Sequence, residues 1–516
     1  MSEPNIYENC SYCRGFLFSR EKGVELKGVT DSWNKTEINV GGELFVHPKL
    51  NCFENVTETT AYYLIGHAYD PFNMISDENA LLEKVAIKGG DIDEILCEIN
   101  KWTGLFTLLI FSDKDTFIVG DCCCMQAAYY GIVDDNLLIC SHAQMVGDIY
   151  KIEPSGYVKK MTKYRFWQKY GLFLPGDCSQ FDSVKRVVPN TYVCIKGGEI
   201  FVKRFFPVKE NEEVKTEEEY NETINKIAAL MHNNLELITE KWKAPAISMT
   251  GGMDSKTTVA CANGLYDKFR YYSYVSMAGD KIDAEAASRI AESIGVTHNT
   301  YVISESDSDF PQADNIRKAI IRNYGYIGKP NENDVRKRAF FYDTKEFDVE
   351  VKSWVSEIGR ANYYKKFGLK KMPKRLRPRD MTMMYKFFSY NRLSALKTDK
   401  IFKKYIVKTQ FDDLYNYDPS DMYLWEFRYG AWGGLVITSE HRVSYDITIP
   451  YNNRLIMKEF LKLPLEKRIK DIPHYDIIKL MNRKIDETGI TIVNWNETEK
   501  RKKLERLYWF VNRHII

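Results

Sequence analysis

A glycine-rich turn near the middle of the chain carries residue types that could hold a phosphate group. The run Thr250-Gly251-Gly252-Met253-Asp254-Ser255 follows a short apolar stretch, residues 246–249. Two adjacent glycines let the backbone turn tightly and approach a ligand closely. A helix that begins after them presents unpaired N–H groups and a dipole end of about half a positive charge. The run therefore predicts an anion site made of a strand, a loop and a helix, and phosphate is the usual anion.

Two common phosphate patterns do not fit this run, and a third does. The nucleotide pattern G-x-x-x-x-G-K-[ST] would need glycine at Thr250 and Ser255, and the dinucleotide pattern G-x-G-x-x-G also fails. The pattern [ST]-G-G-x-D-S directly after a strand resembles the pyrophosphate loop (PP-loop) of ATP pyrophosphatases, which cleave ATP between the α- and β-phosphates and form an adenylate. A plain glycine turn with a chance Asp-Ser cap is the alternative interpretation.

This resemblance implies an ATP site with Mg²⁺, in which Asp254 is the metal ligand. The pyrophosphate would leave onto the N–H groups of Gly251, Gly252 and Met253. The residues that would contact ATP are Met249, Thr250, Gly251, Gly252, Met253, Asp254 and Ser255.

Strands and helices alternate on both sides of the loop. Residues 220–237 have apolar side chains at helical spacing, and residues 271–277 read as a strand. Asp283 caps a predicted helix that Gly295 closes, and residues 300–303 form the next strand. This order predicts a parallel, doubly wound sheet whose ligands bind at the carboxyl ends of its strands.

The chain from residue 9 to about 207 reads instead as strands and turns, with a helical piece near residues 77–85. Its motif order resembles the N-terminal domain of class II glutamine amidotransferases, as it occurs in asparagine synthetases. The matching residues are Gly104, Phe106, Asp121, Tyr129, Tyr130 and Ser141.

The resemblance implies the fold class α/β plus α+β. An N-terminal αββα domain of the N-terminal-nucleophile (Ntn) type would be followed by a doubly wound parallel-sheet PP-loop domain (adenine nucleotide α-hydrolase-like) with a helical C-terminus. The charged stretch 209–219 is the predicted linker. We therefore predict a degenerate glutamine amidotransferase-like domain over 1–208 and an asparagine synthetase-like ATP-binding domain over 209–516.

Departures from the family predict that glutaminase activity is lost. The family's nucleophile is a cysteine at the mature N-terminus, whereas this chain begins with Met1-Ser2-Glu3-Pro4. The glutamine-binding stretches Arg-Gly-Pro-Asp and Asn-Gly-Glu are also missing. Cys10 and Cys13 are internal and are interpreted as structural thiols. The domain would then be a scaffold, as in β-lactam synthetase-like and lasso-peptide cyclase-like relatives.

Two stretches of the synthetase part resemble the family's active site. Val275, Ser276 and Met277 would face adenine at the end of a strand, with plain sheet ends as the alternative. The second stretch is residues 354–360. There Glu357 matches the family's glutamate, which positions the amine and handles its proton, and Gly359 matches a glycine of the family's turn.

Arg360 stands where the family has an aspartate that binds Mg²⁺. One metal carboxylate is therefore missing, and the guanidinium could neutralise phosphate charge instead. A capping glutamate at 357 and a surface arginine at 360 are the alternative.

The family's pyrophosphate-binding lysine has no fixed counterpart here. The stretch 445–456 resembles the family's, but Asp446 stands for a glutamate and Thr448 for an arginine. Among the cations that follow, Arg468 and Lys470 are the chosen candidates, and ordinary surface cations are the alternative. The basic insertion from Lys365 to Lys386 is either a solvated surface or a patch for an anionic acceptor.

Composition excludes few functions. The chain has 516 residues, a net charge of +2 and eleven cysteines, so its overall charge does not indicate nucleic acid as a partner. No apolar run of about 20 residues predicts a membrane span, and no signal peptide is expected. The cysteines read as reduced thiols, which favours a cytoplasmic location. A homodimer is a possible assembly.

The sequence thus predicts an ATP-dependent ligase or cyclase that adenylates a carboxylate, releases pyrophosphate and transfers the acyl group to an amine. The carboxylate would belong to a small molecule, a peptide or a sugar. The alternatives are an amidating enzyme of surface-polysaccharide synthesis and a catalytically weak nucleotide-binding or interaction protein.

Overall fold

Alternating inward and outward side chains build two antiparallel sheets in the first part of the chain. The computed structural model describes residues 5–385, 392–490 and 498–514. The predictions that concern Ser2, Glu3, Pro4 and Lys386 lie outside these residues.

The strands fall into three sheets. Their bounds are β1 (Phe16–Ser19), β2 (Asn34–Glu37), β3 (Glu43–Val46), β4 (Cys52–Val56), β5 (Thr60–Tyr69), β6 (Thr103–Ser112), β7 (Asp115–Gly120), β8 (Tyr129–Val133), β9 (Asn136–Cys140), β10 (Val184–Arg186), β11 (Thr191–Lys196), β12 (Glu199–Arg204), β13 (Pro245–Ser248), β14 (Arg270–Val275), β15 (His298–Val302), β16 (Val349–Val351) and β17 (Asp446–Thr448).

Helices surround these sheets and form most of the chain after residue 350. Their bounds are α1 (Ile6–Cys10), α2 (Glu78–Ala86), α3 (Ile92–Ile99), α4 (Ala143–Tyr150), α5 (Gly156–Met161), α6 (Arg165–Tyr170), α7 (Glu217–Lys241), α8 (Met253–Cys261), α9 (Ala278–Ile294), α10 (Ala313–Asn323), α11 (Glu332–Phe340), α12 (Asn362–Phe367), α13 (Pro378–Tyr385), α14 (Arg392–Lys408), α15 (Pro419–Tyr423), α16 (Gly434–Ser439), α17 (Arg454–Lys462), α18 (Leu465–Ile469), α19 (Ile472–Met481), α20 (Arg483–Glu487) and α21 (Glu499–His514).

The two antiparallel sheets pack face to face. Their strand orders are β10-β8-β9-β1-β3-β2 and β12-β11-β7-β6-β5-β4. Successive side chains of a strand point to opposite faces, so Tyr63 and Ile65 of β5 enter the core between the sheets. Tyr62 and Leu64 of the same strand pack outward with α2 and α3, and α4 covers the outer face of the other sheet. The layers therefore follow the order helix, sheet, sheet, helix.

The third sheet is parallel throughout, in the order β15-β14-β13-β16-β17. The prediction of a mixed α/β protein that contains antiparallel sheets and a parallel sheet is confirmed. The division at 208/209 falls between β12 and α7 and stays a prediction. The predicted linker ends earlier than expected, because α7 already begins at Glu217.

The motif residues of the first part connect it to the second. Asp121 is fully buried and accepts hydrogen bonds from the backbone N–H groups of Phe106, Met125 and Gln126 at 2.9–3.2 Å. It also accepts one from the Asn452 side chain at 2.9 Å, which in turn donates to the Gly104 carbonyl. Gly104, Phe106 and Asp121 thus hold the segment after β17 against the antiparallel sheets.

Helix α7, which leads to the parallel sheet, begins with a capping box. Thr216 Oγ1 accepts from the Glu219 N–H at 3.1 Å, and Glu219 Oε2 accepts from the Thr216 N–H at 3.2 Å. We expect Thr216→Ala to lower the free energy of unfolding by about 1 kcal/mol, because one N–H group of the first turn loses its acceptor. Urea unfolding measures this, and Thr216→Ser, which keeps the hydroxyl, should remain close to wild type. An unchanged midpoint in the alanine variant would show that the cap contributes nothing.

Within the described part of the chain, no helix is both long and apolar enough to cross a membrane.

Candidate functional site

The predicted phosphate loop joins β13 to α8 as expected. Gly252 is the N-cap residue of α8 and makes no side-chain cap. The first N–H groups of a helix have no partner inside it, and within the described part of the chain no N-cap side chain bonds to those of α8. The loop's own hydroxyls fold back on it: Ser255 Oγ accepts from the Thr250 N–H at 3.0 Å, and Thr250 Oγ1 accepts from the Gly252 N–H at 3.2 Å.

A protein carboxylate already bonds to one of the loop amides. Asp283 Oδ1 accepts from the Gly251 N–H at 3.2 Å. The prediction that Asp283 caps its helix is wrong, because α9 begins earlier, at Ala278, and this places Asp283 in its second turn, facing the loop. Burial raises the pKa of Asp283. A phosphate on the Gly251 amide would have to displace this side chain.

A cavity of about 300 Å³ opens at the carboxyl ends of β13, β14 and β16. The loop and the first turn of α8 form its floor, and α9 and residues 350–357 form its sides. Its size is at the lower end for small-molecule sites. The position at strand ends is where open parallel sheets bind ligands.

The cavity wall carries more acids than bases. Its carboxyl groups belong to Asp254, Asp280, Asp283, Glu350 and Glu357. Among the described residues that line it, Lys352 is the one cation. Lys352 Nζ donates to Glu350 Oε1 at 2.9 Å and lies 5.2 Å from the centroid of the Trp354 ring system.

Glu357 is the group in this cavity with the chemistry of an acid or base. Burial raises its pKa to about 7, and the negative charge of Asp254 acts in the same direction. The Tyr429 hydroxyl donates to Glu357 Oε2. Carboxyl groups with a pKa near neutrality are suited to proton transfer at physiological pH.

Unusual backbone segments position this pair. Glu357 lies in the 3₁₀-helix Ser356–Arg360, which is flanked by Val355 (φ 68°) and Ala361 (φ 49°), both left-handed and neither glycine. Tyr429 lies in the π-helix Leu424–Gly433. Both features are uncommon and concentrate at functional sites.

Asp254, the predicted metal ligand, is engaged by an arginine. Arg360 Nη1 lies 2.7 Å from both carboxylate oxygens of Asp254, and Ser356 Oγ donates to Oδ1. Within the described ranges, no group of three or more His, Cys, Asp or Glu side chains is placed to hold a metal ion. The residues around Asp254 therefore do not fit Mg²⁺ in this arrangement.

The two predicted pyrophosphate cations are not brought to the cavity. Arg468 is buried and donates to Asp421 Oδ2 at 2.7 Å and to the Leu463 carbonyl at 3.1 Å. Lys470 is exposed at the C-cap of α18. Neither lines the cavity, where Lys352 lies instead.

The remaining predicted residues do not line the cavity. Ser276 donates from its N–H and hydroxyl to Asp280 Oδ2, and Met277 is exposed. The cavity wall on β14 is formed by Ser273 and Tyr274 rather than by residues 275–277. Gly359 packs against Phe460, because a Cβ added at position 359 would lie only 2.7 Å from the Phe460 Cβ. Contact of residues 275–277 with adenine therefore stays a prediction.

The basic insertion does not behave as one surface. Lys365 turns inward to Asp471 at 2.5 Å, and Arg377 pairs with Asp380 at 2.9 Å. Lys374 and Arg375 remain exposed.

The internal thiols fit the structural interpretation. Cys10 and Cys13 are both buried, and burial raises the pKa of Cys10 to about 12. A thiolate is the nucleophilic form of cysteine, so Cys10 is unsuited to attack an amide. Loss of glutaminase activity stays a prediction.

Comparison with known proteins gives no family assignment. The chain matches no protein-family description and no curated protein. Among solved structures it is similar to a glutamine phosphoribosylpyrophosphate amidotransferase from B. subtilis complexed with ADP and GMP, at 10% identity and TM-score 0.19 over 57% of this chain and 61% of that one. An allosteric regulatory enzyme of purine biosynthesis aligns at 10% identity and TM-score 0.25 over 66% and 89%.

A glutamine-dependent NAD+ synthetase from Acinetobacter baumannii, in complex with ADP, aligns at 15% identity and TM-score 0.18 over 32% of this chain and 28% of that one. The chain thus spans less than two thirds of the first and third of these proteins. Similarity at this level does not assign an activity to the chain.

Proposed function

We propose that this protein is an ATP-dependent ligase that activates a carboxylate as its adenylate and joins it to an amine. One observation carries the proposal: the uncapped start of α8 and the carboxyl group of Glu357, whose pKa is raised to about 7, line the same cavity. The first can hold departing phosphate groups, and the second can handle the proton of an attacking amine.

In the first half-reaction, the phosphates of ATP bind the free N–H groups at the start of α8. An oxygen of the substrate carboxylate attacks the α-phosphorus, and the bond to the bridging oxygen of the β-phosphate breaks. Pyrophosphate leaves with that electron pair. Hydrogen-bond donors fixed before the reaction stabilise the developing charge. Lys352, held by Glu350, is the cation placed to assist. Since Asp254 is engaged by Arg360, no step is assigned to a metal there.

In the second half-reaction, the amine attacks the acyl carbon of the adenylate and AMP departs. Glu357 accepts the proton that the nitrogen loses, and Tyr429 orients the carboxylate through its hydroxyl. Holding both reactants in one cavity supplies the proximity that such a transfer needs. An amine on the same molecule would make the reaction a cyclisation, and a sugar acid as substrate would make it an amidation of polysaccharide precursors.

Pyrophosphate release from ATP tests the proposal. The full chain is incubated with ATP and a panel of amino acids, peptides and sugar acids, with and without an amine. We expect release only when a suitable acid is present. Lys352→Gln should slow it, whereas Lys470→Gln, on the exposed C-cap of α18, should not. Nucleotide binding without release against any acid would contradict a ligase.

The pH dependence of product formation should show the titration of Glu357. Because the pKa of Glu357 is raised to about 7, the base form is scarce at pH 6 and predominant at pH 8. The rate of amide formation should therefore rise with pH through about 7 and then level off. Single-turnover measurements from pH 5.5 to 8.5 check this. A flat profile would remove Glu357 from the proton transfer.

A second candidate is a nucleotide-binding protein without turnover. Two contacts favour it: Arg360 donates a hydrogen bond to the Asp254 carboxylate, and Asp283 already accepts one from the Gly251 N–H. Saturable nucleotide binding combined with the absence of pyrophosphate release identifies this case.

A further inference from the structure

We infer that Arg360 and Lys365 together take the place of a divalent cation between Asp254 and Asp471. The inference is independent of the proposed reaction, because it concerns how the first turn of α8 is joined to the segments around it.

The Arg360 guanidinium bridges two carboxylates from distant parts of the chain. Nη1 lies 2.7 Å from each oxygen of Asp254. On the other side, Nε and Nη2 donate to Oδ1 and Oδ2 of Asp471 at 2.8 and 3.0 Å. All three side chains are about four-fifths buried. Paired, charge-assisted hydrogen bonds of this kind are strong and fix geometry.

The charges in this cluster balance as they would around a divalent ion. Asp254 and Asp471 carry two negative charges, and Arg360 carries one positive charge. Lys365 Nζ, 2.5 Å from Asp471 Oδ1, supplies the second. A lone guanidinium would leave one carboxylate charge uncompensated.

The groups around Asp254 include side chains that could act as metal ligands. Ser356 Oγ contacts Asp254. The His474 Nε2 atom lies 4.0 Å from Asp254 Oδ1, and His474 is 1% exposed. In the part of the chain that the structure describes, this nitrogen has no hydrogen-bond partner. Carboxylate oxygens suit Mn²⁺, and imidazole nitrogens suit several other divalent transition-metal ions.

Backbone conformation indicates that the cluster is built rather than incidental. Asp471 has a φ of 58°, and Ala361, next to Arg360, has a φ of 49°. Left-handed conformations cost free energy for residues other than glycine and persist where the surroundings hold them. Here they direct the 3₁₀-helix Ser356–Arg360 and the start of α19 toward the first turn of α8.

Titration of the full chain with Mn²⁺, followed by electron paramagnetic resonance, tests the inference without any nucleotide. Wild type should bind no Mn²⁺ at this cluster. Arg360→Ala opens the space between the two carboxylates and should bind one Mn²⁺ there, because carboxylate oxygens suit this ion. Mn²⁺ should also raise the melting temperature of this variant, because a ligand that binds only the folded state stabilises it.

Arg322→Ala is the matched control. Arg322 has a similar exposure but pairs with a single carboxylate, Asp148, so its removal should create no Mn²⁺ site. Arg360→Gln serves if the alanine variant does not fold. Wild type that binds Mn²⁺ and loses it on Asp254→Asn would overturn the inference. A folded Arg360 variant that binds no better than Arg322→Ala would overturn it too.

Discussion

Replacing Glu357 by glutamine is expected to slow amide formation by about 10²- to 10⁴-fold, the usual contribution of a general base. The amide cannot accept the proton that the amine must lose. Pyrophosphate release should persist, because the carboxyl of Glu357 does not hold the leaving phosphates. The structure motivates this split, since Glu357 bonds to Tyr429 and not to the loop.

Rapid-quench measurement of adenylate and amide product separates the two steps. Glu285→Gln, on the exposed face of α9, is the control and should behave as wild type. Tyr429→Phe should give a smaller loss, because it removes only the group that orients the carboxylate. Equal losses of both steps in Glu357→Gln would assign the residue to binding or folding instead.

Removing Arg468 is expected to destabilise the protein by about 3–5 kcal/mol while leaving the activity of the folded fraction intact. Truncating one member of a buried ion pair leaves the other charge without compensation. Arg468 and Asp421 are both buried and lie 2.7 Å apart. The sequence suggested Arg468 as a pyrophosphate cation, so this variant separates the two interpretations.

The cost of Arg468→Ala should depend on pH. Burial raises the pKa of Asp421 to about 7, so its carboxyl can remain neutral at pH 5. Burying a neutral carboxyl costs less free energy than burying a carboxylate. Arg468→Ala should therefore lower the free energy of unfolding less at pH 5 than at pH 8. Urea unfolding at both values checks this. Lys470→Ala, at an exposed site, should change stability by no more than about 0.5 kcal/mol. Lost activity in fully folded Arg468→Ala would restore the catalytic interpretation.

Sequence patterns predicted well what depends on neighbouring residues. The strand before the loop, the glycine turn and the start of α8 are all encoded within residues 245–261. The closing turn of α9 at Gly295 is local in the same way. The parallel sheet follows from the alternation of strands and helices around the loop.

The site could be predicted only in part because its contacts join distant residues. Asp283 reaches Gly251 across 32 positions, and Tyr429 reaches Glu357 across 72. The π-helix Leu424–Gly433 lacks the 3.6-residue spacing by which a sequence reveals an α-helix, so nothing in the sequence singled out Tyr429. Lys352 could have been found, since it directly follows the buried strand β16. The burial of Arg468 depends on Asp421, 47 residues away.

If the start of α8 binds the phosphates of ATP, a crystal structure of the full chain with α,β-methylene-ATP should show them there. We expect the β- and γ-phosphates to lie on the N–H groups of residues 253–255. A nucleotide bound elsewhere, or none bound at a saturating concentration of the analogue, would contradict this.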